Sequence, residues 1–295
     1  MKKPFINTLL VLILIGLMAA WWAFAVVLTE LLGDAGRLIA EALIFFIGAL
    51  LLLELLLRVI DLRRRTIHDE RQLQALLGLY NSLKPDAPIP MLRTAALSAD
   101  TALEYVKLIR QLRPTVVVEL GGGVSTVLAA LQLRENGAGR VIALEDDENW
   151  AAKTRDDLLE HQAAGIAEVR HAPLKPFEVE GDTVQWYDTR VSNDIDRIDI
   201  LLVDGPRDVN DRGNRRPGLA HFANRFTHDS VIIVDDGNRP RWRNWVQGWA
   251  MEHDFVIEEP FLNEKRSLIL YRKDSVLAAQ RDGLPAGVLP SYQND

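Results

Sequence analysis

The chain opens with two long apolar runs, and short apolar runs then alternate with amphipathic ones to its end. Between Lys3 and Glu30 there is no charged residue, and the run holds Phe5, Ile6, Leu9 to Ile15, Trp21, Trp22 and Phe24. It exceeds the roughly 20 apolar residues that cross a bilayer. A second run, Leu38 to Leu57, carries only Glu41 and Glu54, each near an end, and Gly33-Asp34-Ala35-Gly36 reads as a polar turn between the two. The pattern predicts two transmembrane helices within residues 5–57, in a hairpin over 1–65. A cleaved signal sequence, favoured by small residues around Ala23 and Ala25, and a membrane-surface hairpin are the alternatives. The length of the first run and the second run directly behind it argue against a signal sequence. Lys2 and Lys3 flank one end, Arg58, Arg63, Arg64 and Arg65 the other, and the turn offers only Arg37. The positive-inside rule then makes this a multi-pass membrane protein with its large C-terminal domain in the cytoplasm.

From Asp69 to Leu83 the spacing is helical, with Leu73, Leu76, Leu77 and Tyr80 on one face. Lys84-Pro85-Asp86-Ala87-Pro88-Ile89-Pro90 breaks it, so residues 66–94 read as a helical linker. Ser98 to Leu112 is a second amphipathic helix with Ser98 as N-cap candidate. Strand candidates follow at Thr115–Leu120, Arg140–Leu144, Ala167–His171, Ile198–Val203, Ser230–Val234, Phe255–Glu259 and Ser267–Tyr271, with helical patterns between most of the first five. That alternation predicts an α/β domain over 95–273 with a Rossmann-like, doubly wound, mostly parallel seven-stranded sheet, its last two strands forming a hairpin edge. Residues 274–295, rich in Gly, Pro and polar side chains, are expected to pack loosely.

Composition narrows the function. The net charge is −7, so no basic footprint points to nucleic acid. With no cysteine there is no disulfide, thiolate nucleophile or zinc–thiolate site.

In an open α/β sheet, ligands bind beyond the carboxyl ends of the strands. Those positions hold Glu119 with Gly121, Gly122 and Gly123; Glu145-Asp146-Asp147; Ala172-Pro173-Leu174; Asp204-Gly205-Pro206; and Asp235-Asp236-Gly237. A glycine turn from strand to helix lets a ligand approach the backbone and meet free N–H groups. Glu145 follows Gly121 at about the spacing at which an acid reaches a ribose. The glycines could instead serve only a tight turn. A nicotinamide-binding Rossmann domain is the nearest functional rival, but it wants a glycine where Thr126 stands and gives no role to Glu119.

Glu119-Leu120-Gly121-Gly122-Gly123-Val124-Ser125-Thr126 resembles motif I of class I S-adenosylmethionine-dependent methyltransferases, and more closely the branch grouped as methyltransferase family 24. The likeness extends through Val141 to Asp146, Val169 to Leu174, Leu202 to Pro206 and Val234 to Asp236. It implies that Glu119, Gly121, Gly122, Gly123 and Ser125 hold the methionine and ribose parts of the cofactor. Glu145, with Asp146, would take the ribose hydroxyls. Pro173 and Leu174 would lie near the adenine, and Asp204 would be a further cofactor-binding residue. Ser125 stands where many class I enzymes have a third glycine.

Methyl transfer from a sulfonium is an in-line displacement, so the protein mainly positions the reactants and supplies a base or metal for an oxygen nucleophile. Asp204 and Asp235 are the catalytic candidates. Related small-molecule O-methyltransferases hold a divalent cation at matching positions, which makes Asp204, Asp235 and Asp236 a candidate metal set, although Asp236 stands where that pattern has an amide. His171, His221 and His228 are further base candidates. Arg207, Arg212, Arg215, Arg216, Arg225, Arg239, Arg241 and Arg243 crowd the segments after the fourth and fifth strands, and suggest a salt-bridged surface, an acidic acceptor or contact with anionic lipid headgroups. Trp242, Trp245 and Trp249 have helical spacing and read as core or interface. Trp186-Tyr187-Asp188 lies in a long connection, as a lid or as packing. The expectation is a membrane-anchored methyltransferase for a small, lipid-linked or glycan acceptor. A non-catalytic tethered scaffold or an NAD-dependent enzyme is the alternative.

Overall fold

The computed structural model describes residues 3–93, 96–208, 212–259 and 263–282, with side chains described from Gly16 to Arg281. It divides into two compact units, 1–67 and 68–295.

In the first unit, helix α1 (Lys3–Leu32) is followed by α2 (Asp34–Leu83), which continues into the second unit. The polar turn expected over 33–36 shrinks to Gly33 alone, whose φ of +59° suits glycine, and the helix resumes at Asp34, an acid placed well for a helix N-terminus. Gly36 lies so close to the Leu28 carbonyl that a β-carbon there would overlap it. The separate helix expected from Asp69 is part of α2. No Pro or Gly interrupts 58–69, and the ion pairs Arg58–Glu54 and Arg65–Asp61 sit at i,i+4 spacing. Within α2, an 18-residue window has mean hydropathy 2.6 with none of it buried; this one described helix is long and apolar enough to cross a membrane. Gly16–Leu32 forms a shorter apolar stretch.

The second unit is built on a seven-stranded sheet whose strands lie in the order Ala167–His171, Arg140–Glu145, Val116–Leu120, Ile198–Val203, Phe226–Val234, Leu268–Arg272 and Phe255–Glu258. Its strands are β1 (Val116–Leu120), β2 (Arg140–Glu145), β3 (Ala167–His171), β6 (Ile198–Val203), β7 (Phe226–Val234), β8 (Phe255–Glu258) and β9 (Leu268–Arg272). The first five are parallel, and β9 and β8 add an antiparallel edge. Near-continuous apolar runs such as Val116-Val117-Val118 are what a sheet buried on both faces requires. Period-2 alternation divides them. Val117, Val141, Ala143, Ile200, Leu202 and Ile233 pack toward α3 (Ala99–Leu112) and α4 (Val124–Asn136). Val118, Leu120, Ile142, Leu201, Val203 and Val234 pack toward α6 (Arg216–Phe222) and α7 (Pro240–Glu252). The remaining helix between parallel strands, α5 (Glu148–Glu160), packs on the first of these faces through Ala151 and Leu158.

Three local details differ from expectation. Ser98 is the N-cap of α3, but its hydroxyl turns to Asp100 and Thr101, and the Gln72 side-chain oxygen accepts from the Ala99 N–H instead at 2.7 Å. The connection after β3 contains a separate hairpin, β4 (Leu174–Val179) and β5 (Asp182–Tyr187), turned at Glu180-Gly181 with φ of +52° and +83°. Its register buries Val179, Val184, Trp186 and Tyr187, so Trp186 is packing rather than lid. After Lys273 the chain forms α8 (Val276–Asp282) with Leu277 and Ala278 buried, because two apolar residues at adjacent positions find core to cover; residues 283–295 lie outside the described part.

Candidate functional site at the strand ends

Strand order reverses direction between β1 and β6, and there the carboxyl ends of neighbouring strands place their polar residues side by side. Backbone bonds carry the parallel register one residue past each strand. The Gly121 N–H donates to the Leu144 carbonyl, Asp204 to Leu120, Asp235 to Val203 and Ala172 to Glu145, at 2.7–3.0 Å. The five strand-end segments singled out in the sequence therefore form one row.

Gly121 (φ +98°) and Gly123 (φ +153°) hold conformations that side chains avoid. A β-carbon on Gly121 would lie 3.2 Å from the Gly205 nitrogen, so this turn and the Asp204-Gly205 segment touch through bare backbone. Glu119, just before the turn, is fully buried. Its carboxylate accepts from Tyr105 Oη at 2.7 Å, Thr126 Oγ1 at 2.6 Å and Ser125 Oγ at 3.1 Å. Burial raises its pKa to about 7, against the pull of those three hydroxyls. Glu119 and Ser125 thus bond each other and tie strand to helix, and Thr126 closes the turn by accepting from the Gly123 N–H.

Glu145, at the end of β2, accepts from the Gly122 N–H at 2.9 Å and the Asp147 N–H at 3.0 Å. Burial raises its pKa, and the two peptide donors work against that rise. Burial also raises that of Asp146 beside it. The Trp150 indole N–H donates to the Gly122 carbonyl at 2.9 Å, a ring that sequence reading did not single out. Pro173 is exposed, its carbonyl accepts from the Asp188 N–H, and Leu174 begins β4.

Asp204, Asp235 and Asp236 do converge: one oxygen from each lies within 4.8 Å of the others. Protein cations stand among them. Lys265 Nζ lies 2.8 Å from Asp235 Oδ2 and 3.8 Å from Asp236 Oδ1, and also donates to the Ala96 carbonyl at 2.8 Å. Arg215, buried itself, lies 3.1 Å from Asp236 and 3.6 Å from Asp204, and Arg239 lies 2.9 Å from Asp236. Asp235 is completely buried and accepts from Ser267 Oγ at 2.7 Å as well. Burial and the negative charge of Asp235 push Asp204 well above the usual carboxylate range, with Arg215 and Lys265 opposing. Burial works against the charge of Lys265, but the surrounding carboxylates outweigh it and raise its pKa.

Tyr187 Oη is buried against Gly205 and, with Arg215 Nη1, is among the described buried atoms that have no hydrogen-bond partner. The three histidines are engaged elsewhere. His171 meets Glu148 and the Asp146 carbonyl, His221 meets Ser192 Oγ at 3.1 Å, and His228 meets Asp274. Burial, then the charge of Arg225, lowers the pKa of His221. The arginines largely disperse: Arg216 pairs with Asp182, Arg243 with Glu259, and Arg225 donates to the Ser192 carbonyl, while Arg207, Arg212 and Arg241 are exposed. Trp242 and Trp249 are core, and Trp245 stacks on Trp242 and donates to Glu180.

Tyr105, Trp150, Tyr187, Lys265 and Ser267 were not legible as site residues. For Tyr187 the Glu180-Gly181 turn was the one usable signal; Lys265 sits in a polar stretch with no local pattern.

Residues 118–237 match the model of methyltransferase family 24, described as a methyltransferase domain. None of the curated protein sequences matches significantly. Solved structures similar to this chain include an O-methyltransferase from Bacillus cereus in complex with S-adenosylhomocysteine, at 16% identity over 67% of this chain and 89% of that one, with TM-score 0.43. Another is the O-methyltransferase TomG from Streptomyces achromogenes, involved in tomaymycin synthesis and in complex with S-adenosylmethionine: 15% identity, 68% and 87% covered, TM-score 0.43. A third is a putative caffeoyl-CoA O-methyltransferase from Staphylococcus aureus, at 13% identity, 71% and 98% covered, TM-score 0.45.

Proposed function

We propose that this chain, a class I S-adenosylmethionine-dependent methyltransferase, methylates an oxygen of a small or lipid-linked acceptor at a membrane surface. One observation supports the cofactor's place above the others: at the β1/β6 switch point the Gly121–Gly123 turn and Glu145 stand side by side, the Gly122 N–H donating to Glu145 at 2.9 Å. The buried, unpartnered Tyr187 Oη against Gly205 is a second polar group left for a ligand.

When bound, the cofactor would supply a sulfonium methyl to the acceptor oxygen in line, the carbon–sulfur bond breaking as the carbon–oxygen bond forms and S-adenosylhomocysteine leaving as the neutral thioether. The chain's own work is to bind and orient. Gly121 to Gly123 would offer bare backbone to the cofactor. Glu145 and Asp146 would hold the ribose hydroxyls, with Pro173 and Leu174 near the base. Glu119 and Ser125 act through the turn they brace rather than by contact. Asp204 is the proposed proton acceptor for the incoming hydroxyl. It is the member of its cluster with the loosest ion pairing, and burial beside Asp235 raises its pKa, which makes its carboxylate a stronger base. Asp235, enclosed by Lys265 and Ser267, positions Lys265 instead.

The apolar N-terminal helices would form a two-span membrane anchor with both ends cytoplasmic, which places the site where the cofactor is made. The basic side chains at 58 and 63–65 and the exposed apolar side chains of α2 support this reading. Calorimetry on the purified full-length chain in detergent, titrated with S-adenosylmethionine, is the first test; no heat at millimolar cofactor refutes the reading. Carbonate extraction of membranes tests the anchor, which is wrong if the chain is released. Transfer of a labelled methyl group to lipid extracts, compared with soluble hydroxylated compounds, then distinguishes the acceptor classes.

A further inference from the structure

The acid cluster at the ends of β6 and β7 has the make-up of a divalent-cation site in one respect only, the convergence of Asp204, Asp235 and Asp236. A magnesium or calcium ion takes six or more oxygen ligands at about 2.0–2.6 Å, with the carboxylates free to turn toward it. Here the carboxylates are already committed. Asp235 spends one oxygen on Lys265 and the other on Ser267, whose hydroxyl meets Thr101 Oγ1 at 3.1 Å, and Thr101 in turn meets Ser98 Oγ at 3.0 Å. Asp236 is held by Arg215 and Arg239 and faces Lys265. Asp204 faces Arg215. Three acids thus meet three cations, which leaves little negative charge for a metal to balance.

Lys265 is also fixed in place. Its ammonium donates to both the Ala96 carbonyl and Asp235, its backbone carbonyl accepts from the Asn238 N–H at 3.0 Å, and most of its side chain is buried. A metal could enter only by expelling an ammonium that Asp235, with Asp236 beside it, holds.

We propose that Lys265 is the resident cation of the Asp204–Asp235–Asp236 cluster, so that this site takes no divalent metal and the acceptor oxygen is met by protein groups alone. The inference rests on the methyltransferase reading only in placing the acceptor beside this cluster. Its test needs neither cofactor nor acceptor, so the two can fail separately.

The test is a manganese titration of the purified full-length chain, followed by electron paramagnetic resonance of the free ion. The wild type is expected to show no site tighter than about 1 mM, where binding is worth only ~4 kcal/mol. Lys265→Ala, which vacates the ammonium, should gain a manganese site at least tenfold tighter, and Lys265→Ala combined with Asp235→Asn should lose it again. Lys265→Arg, which keeps a cation, should bind no manganese. Micromolar manganese binding by the wild type that Asp235→Asn abolishes would overturn the proposal, and that measurement stands even where Lys265→Ala does not fold. A folded Lys265→Ala that gains no manganese site would overturn it as well.

Discussion

The two halves of this strand-end row bury acids in different ways. At the ends of β1 and β2, Glu119 and Glu145 meet neutral donors: three hydroxyls for one, two peptide N–H groups for the other. At the ends of β6 and β7, Asp204, Asp235 and Asp236 meet Lys265, Arg215 and Arg239. Neutral donors satisfy a carboxylate without compensating its charge, so burial still lifts Glu119 to about 7. Cations at 2.8–3.1 Å meet Asp235 and Asp236 and fix their geometry, but each partner then depends on the other; Asp204, met by Arg215 only at 3.6 Å, is still pushed well above the usual carboxylate range. The first half stays adjustable toward a polar ligand, whereas in the second Asp235 and Asp236 form a closed ionic unit beside the looser Asp204.

The comparison is broken most severely at Lys265. Lys265→Met leaves Asp235 fully buried without its cation and should cost ~3–5 kcal/mol in urea denaturation of the full-length chain, the range for a buried pair that loses one partner. A loss under about 1 kcal/mol would mean that the pair is solvated and the contrast unreal.

Next comes Glu119, where neutral donors make stability depend on pH. Its folded pKa, about 7, lies above its ordinary 4.5, so its stabilising contribution is complete below pH 4.5 and is lost as pH rises through 7. At 1.36 kcal/mol per pH unit this window is worth about 3 kcal/mol. The stability difference between wild type and Glu119→Gln should change by about that much across it, and a flat difference would show that the hydroxyls fully offset burial.

Gly121→Val should cost ~2 kcal/mol of stability, since it strains a φ of +98° and presses on Gly205. It should also weaken S-adenosylmethionine binding by about 100-fold, ~2.7 kcal/mol, in calorimetry. Trp150→Phe removes a single half-exposed hydrogen bond to the Gly122 carbonyl, and should change cofactor affinity by less than about tenfold, ~1 kcal/mol. A larger effect would make the indole a direct cofactor contact.

Much of this was legible in the sequence because it is local. All seven sheet strands were placed within a few residues, since β-branched runs with period-2 sorting need only their own side chains to be recognised. The hairpin from Leu174 to Tyr187 escaped because Pro176 and the polar residues of its outer face dilute its alternation. Helix α2 ran longer than expected because no breaker separates the apolar run from the amphipathic one.

The sequence by itself determined the row of strand-end groups, down to Glu119, the three glycines, Glu145 and the three aspartates, because strand period and turn chemistry are properties of neighbouring residues. Only the tertiary structure decided what each acid meets. Tyr105 reaches Glu119 from another helix, and Lys265 reaches Asp235 from the loop between β8 and β9. A buried carboxylate's partner is chosen by chain-distant contacts, and these set whether the group binds a metal, moves a proton or holds the fold.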